Sequence, residues 1–290
     1  MTELKVTNVA KHFGRKNVLN GINVTFTDGQ IYGLLGRNGV GKSTLLRLIN
    51  NRLLADRGQI TLDGASVVDN EAAQNRIFLM SAEMLYPAEQ KVSWVFKITK
   101  QLYGGFDDAL AAHLVSVFHV DTTSRLSRLS TGYKTLVKLI VALCVPCDFV
   151  LLDEPVLGLD APNRHLFYQE LMATFTDRPR TFVIATHLIE EISQLVNQVV
   201  VIERGVVTLD QDADELRQRG KMITGPAATV RDWLADVKVL RTTALGGMLA
   251  AYTLDAPLEK PLPAGVTMEA MNLQQLFIEL TREEEGSHES

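Results

Sequence analysis

Cysteine is nearly absent from this 290-residue sequence, which holds only Cys144 and Cys147, in a lone C-x-x-C. With no second Cys or His pair at ligand spacing, the motif argues against zinc. The lack of a wider cysteine framework fits a reducing compartment. The pair is expected as two buried thiols between a helix and a strand. Long apolar runs are missing too. The most apolar stretch, residues 136–152, is broken by Lys138, Pro146 and Asp148, short of the roughly 20 apolar residues a spanning helix needs. The opening residues, 1–8, are polar and mixed in charge, without the apolar core of a secretory signal. Nor is there an excess of basic charge: the formal net charge is −5 and the pI about 5.7, which argues against a nucleic-acid binder. These absences predict a cytoplasmic protein, with any membrane-spanning part on another polypeptide.

What is present reads as a globular α/β chain, 46% hydrophobic and 22% charged. The first thirty residues alternate apolar and polar, as strands do: Val6, Val9, Val18, Leu19, Ile22, Val24 and Phe26. Further strands are predicted at Ile31–Leu35, 59–62, Ile77–Met80, 149–152, 182–185 and 199–202. From about residue 85 to 143 the spacing turns helical, with Trp94, Phe96, Ile98 and Leu102 on one helix and Leu110, Leu114, Val115 and Phe118 on another. Strands alternating with helices imply a mostly parallel, covered sheet. Past Asp214 the character changes. Residues 237–242 and 248–254 predict a hairpin around Gly246 and Gly247, followed by a connector with Pro257, Pro261 and Pro263. Asn272 is placed to cap a short helix bearing Leu273, Leu276, Phe277 and Leu280, and an acidic tail closes the chain.

One motif carries chemistry by itself. Gly36-Arg37-Asn38-Gly39-Val40-Gly41-Lys42-Ser43-Thr44 matches G-x-x-x-x-G-K-[ST] and lies between a predicted strand and a predicted helix. Its glycines let backbone N–H groups close on phosphate oxygens. The helix that begins near Lys42 turns its positive end toward the same anion. Lys42 supplies a cation for the β- and γ-phosphates, and Ser43 a hydroxyl for Mg²⁺.

A second apolar run, residues 149–152, ends in Asp153 and Glu154. A carboxylate at the C-terminal end of a parallel strand stands at the ligand-binding edge of the sheet. Asp153 is therefore expected in the Mg²⁺ shell, and Glu154 as the group that orients or deprotonates an attacking water. His187 follows the strand at 182–185 at the same edge, which predicts contact with the γ-phosphate.

The order of these motifs resembles the ABC ATPase family over roughly residues 3–215. Leu129-Ser130-Thr131-Gly132-Tyr133 stands where the family carries its LSGGQ signature, 94 residues after Gly36 and 23 before Asp153, counted at Ser130. The segment Val156-Leu157-Gly158-Leu159-Asp160 is similar to the family's D-loop, and Phe13 fits the aromatic that stacks on adenine. The resemblance implies a P-loop NTPase fold: a mostly parallel sheet core, an N-terminal antiparallel β subdomain, a helical signature subdomain at about 85–146, and a small C-terminal α+β extension. It implies domains at 1–219 and 220–290. It further implies an ATP-hydrolysing subunit, peripheral on the inner face of the cell membrane, that pairs with a second ATPase subunit. Ser130, Gly132 and Asp160 would then serve ATP sandwiched between two subunits.

Two departures stand out. Thr131 and Tyr133 replace a glycine and a glutamine of the signature, and the loop after Ile77–Met80 lacks the family's glutamine. Ser81 takes that position, with Glu83 the nearest group able to reach Mg²⁺ or the attacking water. An altered signature beside an intact Glu154 predicts pairing with a different ATPase subunit. A single P-loop and the absence of heptads disfavour soluble, non-transport relatives. The 271–281 ending resembles that of single-domain exporter subunits, so export by a separate membrane permease is expected over import.

Overall fold

The computed structural model describes residues 2–281, and the acidic tail expected at 283–290 lies outside them. Contacts divide the chain into two compact units, 1–210 and 211–290.

In chain order the first unit begins with β1 (Glu3–Phe13), β2 (Lys16–Thr27), β3 (Ile31–Leu35), α1 (Lys42–Ile49), β4 (Arg57–Leu62), β5 (Ala65–Ser66) and α2 (Glu71–Gln74). It continues through β6 (Ile77–Met80), α3 (Val92–Leu102), α4 (Asp108–Val117), α5 (Thr131–Cys144) and β7 (Phe149–Asp153). It ends with α6 (Ala161–Asp177), β8 (Thr181–Ala185), α7 (Ile189–Ile192), β9 (Gln198–Glu203) and the greater part of β10 (Val206–Asp212).

The central sheet has the order β10-β9-β3-β8-β7-β6, and β6, β7, β8, β3 and β9 pair in parallel. Every residue of β3, β7 and β8 is buried, the uniform apolar reading expected of parallel strands covered on both faces. A second sheet, β2-β1-β4-β5, is antiparallel. Its Leu4, Val6, Ile22, Val24 and Phe26 share one core with Leu45, Leu46, Leu48 and Ile49 of α1, each side chain contributing about 2 kcal/mol by burial.

Register is what builds the site. Leu34 and Asp153 both pair with Ala185, so β3, β7 and β8 end together. The segments that leave them, beginning at Gly36, Glu154 and Thr186, therefore emerge at one edge.

The helical segment differs from expectation at its start: residues 81–91 form no helix, and α3 begins at Val92. Its buried face is Val92, Val95 and Thr99. Trp94, Ile98 and Leu102 lie on another face, with Leu102 61% exposed. Helix α4 is capped by Asp107, α5 by Ser130 and α6 by Asp160, each side chain accepting from a backbone N–H in the first turn. Cys144 ends α5 and Cys147 precedes β7, both buried free thiols.

The second unit contains α8 (Ala213–Arg219), β11 (Lys221–Pro226), α9 (Ala227–Trp233), β12 (Val239–Leu245), β13 (Met248–Thr253), β14 (Thr267–Ala270) and α10 (Leu273–Thr281). Helix α8 packs on β14 and α10, so the division falls nine residues before the boundary expected at 219. The expected hairpin is β12–β13, turning through Gly246 and Gly247 at φ 55° and 85°. It forms half of a four-stranded antiparallel sheet, β12-β13-β11-β14. Asn272 caps α10, its Oδ1 accepting from Gln275 N at 2.8 Å.

Candidate nucleotide site

The loop from β3 into α1 takes its shape from its glycines. Gly36 has φ 154°, and a Cβ there would stand 2.5 Å from Ile202 O; at Gly41, φ 115°, it would stand 2.5 Å from Leu19 Cδ2. A side chain at Gly36 would collide with β9 backbone, and one at Gly41 would be strained by its positive φ and crowded by Leu19 and Val18 of β2. Helix α1 has no acidic residue in its first turn, so the positive end of its dipole is uncompensated and open to an anion.

Lys42 is 6% exposed, and its Nζ donates to Gly36 O at 2.6 Å and Arg37 O at 3.3 Å. Burial lowers its pKa, opposed by Glu154 and Asp153. Ser43 Oγ donates to Asp153 Oδ1 at 2.8 Å. Asp153 is 8% exposed, and burial raises its pKa against the pull of that hydrogen bond. The hydroxyl and the carboxylate together offer two hard oxygen donors suited to Mg²⁺, which takes most of its shell from phosphate and water. No cluster of three acidic, His or Cys ligands exists among the described residues, so this pair is compatible with a shared metal and not with a protein cage.

Glu154 directly follows β7 with φ 48°, a left-handed backbone that costs a residue with a Cβ about 1 kcal/mol. The bond from its N–H to Ala185 O at 2.8 Å holds it there. Its Oε2 accepts from Thr186 Oγ1 at 3.1 Å, and both carboxylate oxygens lie 3.0 Å from His187 Nδ1. Glu154 and His187 thus form a joined pair at the sheet edge, able to hold and exchange a proton.

A cavity of about 420 Å³ gathers Phe13, Asn38, Gly39, Gly41, Lys42, Ser43, Thr44 and Glu154, with Lys16 and Val18. Phe13 closes β1 opposite Lys16 in the β1–β2 hairpin and is 49% exposed, an open aromatic face beside the phosphate loop. Arg37 is exposed and Val40 half-buried on the same loop. The structure also brings in Lys16, Val18 and Thr186, none of them expected from the sequence. Thr186 had a signal, a hydroxyl between an apolar strand and His187; Lys16 and Val18 reach the cavity only through strand pairing.

Ser130, Gly132 and Asp160 do not line this cavity. Ser130 Oγ accepts from Tyr133 N at 3.3 Å, a Cβ on Gly132 would meet Gly158 O at 3.3 Å, and Asp160 Oδ1 accepts from Asn163 N at 3.0 Å. The start of α5 is packed against the segment that leads into α6. Glu83 is 60% exposed at the side chain and ion-paired to Arg47, Oε1 to Nη2, at 2.8 Å, and it does not line the phosphate cavity. Ser81 Oγ accepts from Arg52 Nη1 at 3.3 Å.

Residues 19–157 match the family described as ABC transporter. The chain is 30% identical over 215 residues to the ABC transporter ATP-binding protein YtrB of Bacillus subtilis, covering 74% of each protein. It is 30% identical over 306 aligned positions to the Nod factor export ATP-binding protein I of Burkholderia lata, covering 96% of each. A solved ATP-binding subunit of an ABC transporter superposes with a TM-score of 0.66 at 22% identity, over 74% of this chain and 92% of that one, and shares the fold. A phosphate loop, an acidic strand end and a histidine on one sheet edge, on a fold shared with such subunits, place the chain in the family of ABC transporter ATP-binding proteins, the ATP-hydrolysing subunits of those transporters.

Proposed function

We propose that this chain is the ATP-driven motor of an exporter whose membrane-spanning subunits are separate polypeptides, and that ATP closes it against a second ATPase subunit. No helix among the described residues is long and apolar enough to cross a membrane. The observation that carries the reading is a mainly apolar cleft of about 370 Å³ in the same unit as the phosphate site, lined by Phe78, Tyr86, Trp94, Ile98, Leu102 and Tyr103, with Arg52, Ser81, Glu83 and Lys138 as its polar residues. At its rim Leu85 is 59% and Leu102 61% exposed. Such a cleft suits an apolar helical segment of a permease, and its occupancy would fasten the motor to the inner face of the cell membrane. Export is favoured because a relative named for export aligns over 96% of the chain, the second unit included.

In the motor, Lys42 would neutralise β- and γ-phosphate charge while Phe13 stacks on the base. Ser43 and Asp153 would hold Mg²⁺, which supplies charge neutralisation across the phosphates when bound. Glu154 would orient and deprotonate water. With Nδ1 of His187 engaged by Glu154, Nε2 is the ring nitrogen left to meet a phosphate oxygen. Ser130 and Gly132 would meet the ATP held by the other subunit, with Asp160 at the start of α6 close to that joint. The altered Thr131 and Tyr133 favour a non-identical ATPase partner.

ATP-driven accumulation of a labelled cargo in inverted membrane vesicles, with the chain and its membrane partner present, tests the direction. Accumulation supports export, and ATP-driven release contradicts it.

A further inference from the structure

The short loop after β6 is held from two sides. On one side stands α5, whose first turn carries the signature residues. Lys138 lies eight residues beyond Ser130, about 12 Å along the helix. Its Nζ donates to Ser81 O at 2.8 Å and Ala82 O at 2.9 Å. On the other side stands α1, whose first turn carries Lys42 and Ser43. Arg47, one turn after Ser43 on the same face, pairs with Glu83 at 2.8 Å. Arg52, just past α1, donates to Leu79 O at 3.1 Å and Ser81 Oγ at 3.3 Å. Three cations from two elements thus converge on residues 79–83.

Lys138 occupies an unusual setting. It is half-buried, and burial lowers its pKa with no opposing charge. Two carbonyl dipoles hold the ammonium, so the loop must keep its shape for Lys138 to remain there. Lys138 also breaks the apolar run of α5, where Leu136, Val137, Leu139 and Ile140 are all buried. Core packing alone does not account for a lysine at that position.

We propose that Lys138 is a positioning residue for ATP hydrolysis. It fastens the signature helix to loop 81–83, and the Arg47–Glu83 pair carries that constraint to the helix that presents Lys42 and Ser43. The inference rests on the chain hydrolysing ATP: a wild-type chain without turnover defeats that premise, whereas unaffected variants of an active chain defeat the tether.

The test measures steady-state ATP turnover of the full-length chain carrying Lys138→Met, Glu83→Gln or both. Lys138→Met is expected to lower kcat about tenfold with KM within twofold, and Lys138→Arg to restore at least half of the loss. Glu83→Gln is expected to lower kcat to a similar extent, and the double variant to fall no further than the lower single one. Wild-type kcat in Lys138→Met overturns the proposal. So does a double variant whose losses multiply, because Glu83 then acts independently of Lys138. Should Lys138→Met fail to fold, Glu83→Gln and Arg47→Met decide the matter from the exposed side. Equal, non-multiplying losses of kcat at constant KM support the tether, and unequal or multiplying losses overturn it.

Discussion

Removing the guanidinium of Arg180 should loosen the helix that carries the signature. Arg180 is 5% exposed and stands just before β8. It donates to Val145 O and Leu143 O at 2.5 Å each and to Ala142 O at 3.4 Å. These are orphan acceptors at the C-terminal end of α5. Cys144 O is satisfied by Asp107 N, and Val145 O has a second donor in Arg178 at 3.2 Å. Arg180→Met therefore strands two carbonyls, Ala142 and Leu143. Charge-assisted bonds to such groups contribute about 1.5–3 kcal/mol each, a gross loss of about 3–6 kcal/mol. Part of this returns because the buried guanidinium, whose pKa burial pushes down to about 9, no longer has to be desolvated. The net loss is about 3 kcal/mol, or about 6–12 °C in the melting temperature of a unit this size. Differential scanning calorimetry of Arg180→Met beside Arg178→Met reads it directly. A shift under about 2 °C at Arg180, or an equal shift at both, would refute the reasoning.

Two further outcomes follow from the site and the core. Phe13→Ala should raise the Kd for ATP about 5- to 100-fold, the scale of a lost base–aromatic stack, while Phe13→Trp stays within threefold; titration calorimetry distinguishes them. Cys144 and Cys147, whose thiols burial pushes up to about 12, should resist a thiol-specific chromogenic reagent at pH 8 until the protein is denatured. Since the folded chain keeps protons that the unfolded chain releases above about 9, stability should fall as pH rises from about 9 to about 12. Rising stability across that window would contradict the burial argument.

The nucleotide site is largely written in local sequence because its parts are local. A glycine-rich turn after an apolar strand, two acids at the end of another and a histidine after a third need only parallel register to meet. What escaped the sequence is non-local. Lys138 and Ser81 are 57 positions apart, and no period marks their contact. The pairing of Glu83 with Arg47 joins positions 36 apart and depends on where α1 ends. The sequence marks Trp94, Phe96, Ile98 and Leu102 as the apolar residues of one helix, whereas the residues α3 buries are Val92, Val95 and Thr99. Side-chain size alone does not distinguish a core face from a cleft face. The hairpin at Gly246 and Gly247 was legible from its turn, but β11 and β14 were not. They are short, β11 ends at Pro226, and each pairs across tens of residues.

The most direct test of the account is Glu154→Gln. Glutamine keeps the size and one acceptor for Thr186 Oγ1, but it cannot take a proton from water. Nucleotide affinity is expected to stay within threefold, and ATP is expected to hold the chain in a stable dimer with an ATPase subunit, visible by light scattering. Turnover is expected to fall about 10²- to 10⁴-fold, the contribution of a positioned general base, or about 3–5 kcal/mol in barrier height. Turnover within threefold of wild type, with ATP bound, would contradict the assignment of Glu154 and the hydrolytic edge built around it.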